Sequence, residues 1–217
     1  MRSADGPPAA GRGGEQPIGE RGADRDQHQP LVGVLALQGD FEAHARLLAT
    51  LGARAREVRV PEQLEGLDAL VIPGGESTTM TLGVEREGLA EPLRELARAG
   101  TPILGTCAGM IMLDRLHLGV LDAVARRNAF GRQLRSFETD LEVEGVAGGP
   151  LRAVFIRAPW IEEHGPQVRV LARVDGHPVA VRQGAVLAVA FHPELAGDAR
   201  LHRLLLDARS RPSERRA

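Results

Sequence analysis

The stretch Ile103-Leu104-Gly105-Thr106-Cys107-Ala108-Gly109-Met110 joins a short apolar run to a second apolar segment. Residues 102–105 are typical of a strand buried on both faces, and residues 110–113 have the character of a buried helix. The Gly-x-Cys-x-Gly between them is the cysteine counterpart of a nucleophile elbow, in which two glycines permit a cramped strand-to-helix turn that lifts the nucleophile above a sheet. This stretch therefore predicts an α/β fold with Cys107 as its nucleophile.

Cys107 is the single cysteine of the chain, so neither an internal disulfide nor a multi-cysteine zinc site is possible. A helix amino terminus presents free backbone N–H groups and positive partial charge, which favour the thiolate. The alternative is a buried cysteine that packs as a small hydrophobic side chain. The flanking glycines favour the nucleophile, and no metal is expected.

Strand and helix patterns alternate on both sides of this elbow. Strands are predicted at residues 31–37, 58–60, 67–72, 102–105, 134–144, 154–157, 168–174, 179–182 and 186–191, and helices at residues 40–51, 92–99, 110–113 and 199–208. Strands that alternate with helices imply a parallel sheet covered on both faces. The later strands, separated by Gly and Pro turns, indicate antiparallel additions. We predict an α/β fold whose mostly parallel central sheet is flanked by helices and carries additional antiparallel strands.

The two ends of the chain differ in composition from its middle. Residues 1–30 contain ten glycines and prolines and only two large apolar side chains, so they cannot offset their ordering entropy by burial. We predict a disordered tail over residues 1–30, one domain over residues 31–210 and a frayed end over residues 211–217.

Charge and composition exclude several functional classes. All 27 basic side chains are arginine, so neither a Walker-type phosphate loop nor a lysine Schiff base is possible. A net charge of -2 gives no basic field for nucleic acid, and no apolar run approaches the length of a membrane span. We expect a cytoplasmic protein that binds neither nucleic acid nor membrane.

One of the seven histidines stands out as a base for Cys107. His192 ends a predicted strand in Phe191-His192-Pro193-Glu194, and residues i and i+2 of an extended segment point to the same side. Glu194 can therefore orient and charge-stabilise the imidazole, as the acid does in a hydrolytic triad. The alternative is a His-Glu pair on a solvated strand end. The other histidines have simpler interpretations: His28 in the tail, His44 on a partly exposed face of the first helix, His117 at a helix end, His164 and His177 in turns, and His202 on the last helix.

A glycine loop, Pro73-Gly74-Gly75-Glu76-Ser77-Thr78-Thr79, follows the strand at residues 67–72. Consecutive glycines let backbone N–H groups turn toward a bound oxyanion, and one such donor contributes about 10²- to 10³-fold in rate. Alone, two glycines indicate only a turn. On the sheet edge that carries the elbow, they predict an oxyanion loop.

Together, the cysteine elbow, the glycine loop and the late His-Pro-Glu resemble the class I, triad-type glutamine amidotransferases. Within that class, the chain resembles the glutaminase subunits of pyridoxal 5'-phosphate synthase. The motifs that carry the resemblance are Leu37-Gln38-Gly39-Asp40, Pro73-Gly74-Gly75-Glu76-Ser77-Thr78-Thr79-Met80, Gly105-Thr106-Cys107-Ala108-Gly109-Met110, Arg127-Asn128-Ala129-Phe130-Gly131-Arg132-Gln133, Phe155-Ile156-Arg157-Ala158-Pro159 and Phe191-His192-Pro193-Glu194-Leu195. The resemblance implies a flavodoxin-like core and hydrolysis of L-glutamine to L-glutamate and ammonia without a cofactor.

The resemblance also implies roles for the residues that match its motifs. Cys107 would attack the side-chain amide, His192 would protonate the departing ammonia and later activate water, and Glu194 would hold His192. Backbone N–H groups of Gly75 and Ala108 would form the oxyanion hole. The implied glutamine contacts are Gly75, Glu76, Ser77, Arg127, Ile156 and Arg157.

The implied partner is a synthase subunit that resembles a TIM barrel and receives the ammonia, in a complex of twelve synthase and twelve glutaminase subunits. Other interpretations stay open. The glutaminase could serve a different synthase, such as that of the imidazole glycerol phosphate pathway, or the fold could be a non-catalytic assembly protein. A cysteine hydrolase of the related single-domain α/β type is disfavoured, because those place a histidine directly after the elbow, where this chain has Ala108.

Overall fold

The computed structural model describes residues 29–131 and 136–209. The predicted frayed end and all but the last two residues of the predicted tail lie outside these ranges. The elements in chain order are β1 (Leu31–Leu35), α1 (Phe41–Thr50), β2 (Arg54–Val58), β3 (Ala69–Ile72), α2 (Ser77–Arg86), α3 (Ala90–Arg98), β4 (Ile103–Thr106), α4 (Ala108–Leu113), β5 (Ala123–Arg126), β6 (Ser136–Leu141), β7 (Leu151–Ile156), β8 (Trp160–His164), β9 (Arg169–Val174), β10 (His177–Gln183), β11 (Val186–Val189) and α5 (Arg200–Arg209). No helix within the described ranges is long and apolar enough to cross a membrane.

Seven of these strands form one central sheet in the order β2-β1-β3-β4-β11-β10-β9. The first five are parallel to one another, whereas β10 and β9 continue the sheet with antiparallel pairing. β5 pairs with β8, and β6 with β7, as two small antiparallel sheets. This arrangement confirms the predicted α/β class, with a mostly parallel sheet and antiparallel additions.

Three neighbouring strands, β3, β4 and β11, position the candidate site. They are parallel, so their carboxyl ends meet at one edge of the sheet, where open α/β sheets place ligands. Every residue of the three strands is buried, which explains why β3 and β11 are uninterrupted apolar runs in the sequence and why β4 has Thr106 as its single polar residue. Gly74, Cys107 and His192 follow these strands within three residues of their ends.

The edge strand β2 differs from its prediction. The sequence predicted a strand at residues 58–60, whereas the strand lies at Arg54–Val58. Only Val58 within it is buried, because an edge strand exposes one side to solvent and tolerates charged residues. The charges concealed the strand, and the chain turns away through a short 3₁₀ helix at Pro61–Leu64.

Helix α2 is absent from the sequence prediction, which treated residues 73–79 as a loop. Glu76 caps its amino terminus, because the Glu76 carboxylate accepts hydrogen bonds from the N–H groups of Thr78 and Thr79 at 3.3 and 2.8 Å. Its threonine-rich first turn has low intrinsic helix propensity. Tertiary packing of Met80, which is fully buried, compensates for that weakness. The short strands β5 and β8 are likewise absent from the prediction.

The two glycines of the elbow allow α4 to approach the sheet closely. A Cβ atom on Gly109 would overlap the carbonyl oxygen of Ile72 in β3. A Cβ atom on Gly105 would lie 2.7 Å from the carbonyl oxygen of Gly109. Neither position can carry a side chain unless backbone moves, so both glycines are required for space rather than for an unusual backbone angle.

An aromatic cluster packs behind the segment that leads out of β11. The ring of Phe155 in β7 lies 5.5 Å from that of Phe191 and stacks on Phe137 at 4.5 Å, measured between centroids. In the neighbouring small sheet, Trp160 stacks on the ring of His177 with centroids 3.6 Å apart. The cluster anchors the residue immediately before His192.

Candidate active site

Cys107 occupies the N-cap position of α4 in a strained conformation. Its φ of 49° and ψ of -108° cost a non-glycine residue about 1–3 kcal/mol. The Cys107 N–H donates to the carbonyl oxygen of Val189 in β11 at 2.8 Å, which ties the elbow to the neighbouring strand. The residue is 7% exposed, and its Sγ lies 3.9 Å from the carbonyl oxygen of Ile156. The cramped turn that the sequence predicts is present.

His192 and Glu194 form a hydrogen-bonded pair beside this thiol. The His192 Nδ1 lies 2.6 Å from Glu194 Oε1, and the two side chains are 13% and 1% exposed. The His192 N–H donates to the carbonyl oxygen of Val154 at 2.9 Å, so β7 fixes the backbone that carries the ring. The spacing of i and i+2 does place both side chains on one side, as the sequence predicts.

The environment of His192 favours its protonated form. Burial alone lowers the pKa of His192, but hydrogen bonds with Cys107 and Glu194, and the negative charge of both groups, outweigh burial and raise that pKa from 6.5 to about 10. At neutral pH the ring is therefore an imidazolium beside the sulfur. Such a group can stabilise a thiolate and can give a proton to a leaving group.

Gly74 lies directly against these catalytic candidates. A Cβ atom on Gly74 would overlap Cε1 of the His192 ring and would lie 3.1 Å from Cys107 Cβ. The Gly74 N–H donates to Thr106 Oγ1 at 3.0 Å, which holds the loop against β4. The glycine loop therefore has a steric role that the sequence did not predict, beside the oxyanion role that it did.

Gln38 fastens the next part of the glycine loop. Its Oε1 accepts from the N–H of Glu76 at 2.5 Å, and a Cβ atom on Gly75 would lie 2.9 Å from the same oxygen. Gly39 adopts a φ of 95°, and a Cβ atom there would overlap the carbonyl oxygen of Gly74. The sequence marked Gln38 and Gly39 only as motif residues, because their structural role depends on contact between two loops that are distant in the chain.

A polar cleft opens in front of the Cys107 sulfur. Every glutamine contact implied by the sequence lies in its wall, together with Cys107 and Ala108. The structure adds Ile111, Asn128 and Pro159 to this wall. The residues shared by the prediction and the cleft are Gly75, Glu76, Ser77, Arg127, Ile156 and Arg157. Their proximity is a fact of the structure, and their role in binding glutamine stays a prediction.

An ion pair spans the mouth of this cleft. Arg127 donates to Glu76 Oε1 at 2.9 Å and to Thr78 Oγ1 at 3.1 Å. Hydrogen bonds from the backbone and side chain of Thr79, and from Thr78, lower the pKa of Glu76 from 4.5 to about 2, so its carboxylate is charged at neutral pH. A guanidinium and a carboxylate in one cleft suit the two opposite charges of a free amino acid.

His164 and His177 were expected in turns, whereas they end β8 and begin β10. The burial of His44 corrects the sequence analysis, and that of His202 on the last helix was not predicted. His44 was expected on a partly exposed face, whereas both side chains are fully buried and lie behind Glu194. Each histidine shares a helix face with buried leucines, Leu47 for His44 and Leu205 for His202. Helical periodicity could therefore have predicted their burial, but not the carboxylate that they meet.

The polar side chains around the cleft do not form a metal site. Across residues 29–131 and 136–209, no group of three or more His, Cys, Asp or Glu side chains has an arrangement that could hold a metal ion.

Comparison with known proteins supports one family. Residues 34–210 match the profile of the SNO glutamine amidotransferase family. The pyridoxal 5'-phosphate synthase subunit PdxT of Frankia alni is 56% identical over 187 residues, which cover 82% of this chain and 94% of that protein. The subunit PdxT of Acidothermus cellulolyticus is 58% identical over 189 residues, with coverages of 81% and 91%.

Two solved structures match the chain, one at high and one at low sequence identity. A crystal structure of a glutamine amidotransferase matches with a TM-score of 0.78 and 51% sequence identity, covering 83% of this chain and 99% of that one. The crystal structure of a putative GMP synthase component from Thermoplasma acidophilum matches with a TM-score of 0.64 at 19% identity, covering 84% and 95%. The second likeness shows a shared fold.

Proposed function

The chain belongs to the SNO glutamine amidotransferase family, and from that premise we propose that it hydrolyses L-glutamine to L-glutamate and ammonia for pyridoxal 5'-phosphate biosynthesis. The observation that carries this proposal is the cleft in which Cys107 and the Glu76–Arg127 ion pair face the same space. A nucleophile and a pair of opposite charges are what a glutaminase needs to attack the side chain of an amino acid held by its α-groups.

Cys107 is the nucleophile of the proposed reaction. Its thiolate attacks the carboxamide carbon of glutamine, and the C–N bond breaks as His192 gives its proton to the departing ammonia. The resulting thioester is attacked by water, whose proton passes to His192 as the C–S bond breaks and glutamate leaves. The hydrogen bond of 2.6 Å between His192 and Glu194 supports the role of Glu194 in orienting the ring.

Backbone N–H groups of Gly75 and Ala108 are proposed to stabilise the oxyanion of the tetrahedral intermediates. Ala108 is the first residue of α4, and the first N–H groups of a helix have no partner within the helix. Gly75 and Ala108 both line the cleft beside the sulfur. Donors from two different elements would thus converge on one oxygen.

Recognition of glutamine is assigned to the mouth of the cleft. Arg127 would pair with the α-carboxylate and Glu76 with the α-ammonium group, so the substrate replaces the ion pair that these two side chains make with each other. Ser77, Ile156 and Arg157 would complete the contacts from the two sides of the cleft.

The proposed recipient of the ammonia is the synthase subunit of pyridoxal 5'-phosphate synthase. The names of the Frankia alni and Acidothermus cellulolyticus relatives support that partner. The family resemblance supports the finer parts of the proposal, namely a TIM-barrel-like partner, twelve copies of each subunit and a cytoplasmic location. Light scattering of the purified mixture tests the stoichiometry.

The decisive experiment measures ammonia release from glutamine by the full chain with and without its cognate synthase subunit. Release that rises on addition of that synthase supports the proposal. Release that rises only with the barrel synthase of the imidazole glycerol phosphate pathway would assign the chain to that pathway. Absence of release with either partner, and no reaction of Cys107 with a diazo ketone analogue of glutamine, would favour a non-catalytic assembly protein.

A further inference from the structure

A chain of polar side chains continues beyond Glu194 into the protein interior. Glu194 uses Oε1 to bind His192, and its Oε2 has no hydrogen-bond partner of good geometry among residues 29–131 and 136–209. The nearest donor is Nε2 of His44 in α1, at 3.4 Å. The other ring nitrogen of His44, Nδ1, lies 2.8 Å from Nε2 of His202 in α5. Two helices on different parts of the sheet therefore converge on the acid of the proposed triad.

The tautomers of the two histidines follow from their partners. If Nε2 of His44 carries the hydrogen, it faces Glu194 Oε2 and Thr106 Oγ1, both at 3.4 Å, and Nδ1 accepts from His202. The lone pair of His202 Nδ1 is then left without a partner among the described residues. In the opposite arrangement the Thr106 hydroxyl can donate to Nε2 of His44, but a lone pair of His44 also faces the carboxylate and a buried N–H of His202 is left unpaired. An unpaired buried donor and a lone pair facing an anion are both costly, so the first arrangement is preferred.

The charges around His44 keep it neutral. Glu194 and His192 face it from the segment after β11, His202 faces it from α5, and the uncharged Thr106 hydroxyl of β4 lies 3.4 Å from its Nε2. Burial lowers the pKa of His44 to about 4, with further lowering by His202 and His192, and the attraction of Glu194 only partly opposes this. At neutral pH His44 thus offers Glu194 a neutral N–H rather than a positive charge.

Building on the proposed triad, we propose that His44 is a positioning residue for Glu194. The Nε2–H group of His44 holds the second carboxylate oxygen of Glu194, and His202 fixes the His44 tautomer that carries this hydrogen. At 3.4 Å the two atoms are within hydrogen-bonding distance but poorly aligned, and hydrogen bonds of a resting active site are often poorly aligned and tighten when substrate binds. With both oxygens held, the carboxylate cannot rotate away from His192. The His192 ring thereby keeps its 2.6 Å hydrogen bond with Glu194 Oε1 and its orientation beside Cys107.

The test compares two substitutions of equal length at His44. The side chain introduced by His44→Gln can place an N–H near the position of Nε2, whereas the one introduced by His44→Met fills similar space without a donor. Glutaminase kcat and KM are measured with the cognate synthase present. We expect H44M to lower kcat about 10-fold or more, the value of one hydrogen bond to a charged group, with KM within about twofold of wild type. H44Q should recover most of kcat.

Alkylation of Cys107 by iodoacetamide gives a second readout that a purely structural role of His44 would not move. Because Cys107 is the only cysteine, the rate reports the active-site thiolate alone. Loss of the His44 donor lets the Glu194 carboxylate turn away from His192, which weakens the imidazolium–thiolate pair. In the profile of alkylation rate against pH, the acid limb should therefore move to higher pH by about half a unit or more in H44M, and not in H44Q. His117→Met, a histidine paired with Asp114 in the turn after α4, is the matched control and should leave the limb in place.

The outcomes separate this inference from the proposed function. If H44M keeps kcat and the alkylation profile, or if H44Q loses as much as H44M, His44 does not position Glu194. If H44M fails to fold, His202→Met decides, because it should shift the alkylation limb in the same direction by a smaller amount, and an unchanged limb overturns the proposal. Retained activity in Cys107→Ala would instead overturn the triad itself.

Discussion

The two halves of the cleft are built in opposite ways. The catalytic half consists of Cys107, His192 and Glu194, which follow neighbouring strands of the central sheet and have nearly buried side chains. The recognition half consists of Glu76 and Arg127, whose side chains are 43% and 48% exposed. Arg127 follows β5, which belongs to a small two-stranded sheet rather than the central one.

This contrast separates what is fixed before substrate arrives from what can rearrange. In the catalytic half, a Cβ atom on Gly74 would overlap the His192 ring, and Gly105 and Gly109 are packed against backbone. In the recognition half, an exposed ion pair is worth only about 0–1 kcal/mol, so exchange of its partners for the charges of a substrate costs little. Substitutions in the first half should therefore change turnover, and substitutions in the second should change affinity.

Removal of the nucleophile should have the largest effect. We expect Cys107→Ala to reduce ammonia release with the synthase present by at least about 10⁴-fold, the scale seen when a covalent nucleophile is deleted. The circular dichroism spectrum should be unchanged, since alanine fits the space. Residual activity within tenfold of wild type would contradict the assignment of Cys107.

Loss of space at the glycine loop should have the second-largest effect on activity. Gly74→Ala forces a Cβ atom into the His192 ring, and we expect kcat to fall about 10²-fold because the ring is displaced from Cys107. Gly83→Ala is the control, because a Cβ atom there meets mainly the flexible Leu37 side chain. Equal effects of the two substitutions would show that the catalytic half is not sterically fixed.

Weakening of the recognition half should act mainly on KM. Arg127→Gln removes the charge proposed to bind the α-carboxylate, and we expect KM for glutamine to rise about 10-fold or more, with kcat changed less than threefold. Arg126→Gln tests an adjacent arginine that pairs with Glu162 instead, and it should behave like wild type. A fall in kcat without a change in KM would remove the distinction between the halves.

The smallest effect is expected on the stability of the protein in acid, through the two buried histidines that lie behind the catalytic half. Burial lowers the pKa of both His44 and His202 to about 4, from 6.5 in the unfolded chain, so below pH 6.5 the unfolded state binds more protons. Stability should fall as pH drops from about 6.5 toward 4. We expect His44→Met to lose about 3–6 °C less in Tm than wild type between pH 7 and 5, and His202→Met to do the same. If Tm falls with pH equally in wild type and in both variants, neither histidine is the titrating group.

The sequence predicted the catalytic half more fully than its surroundings. Buried strands such as β3 and β11 are continuous apolar runs, and Gly105 and Gly109 mark the elbow, because burial and close packing act on neighbouring residues. The charged edge strand β2 and the threonine-rich start of α2 carry no such local signal. The contact between His44 and Glu194 joins residues 150 positions apart, and only the assembled sheet brings them together.

The stacked pair of Trp160 and His177 has a spectroscopic consequence. The chain has one tryptophan and no tyrosine, so its intrinsic fluorescence originates from a single indole. That indole adjoins Pro159 of the cleft wall and stacks on the imidazole of His177. Emission from the unlabelled protein would thus report on the packing of this single pair next to the cleft.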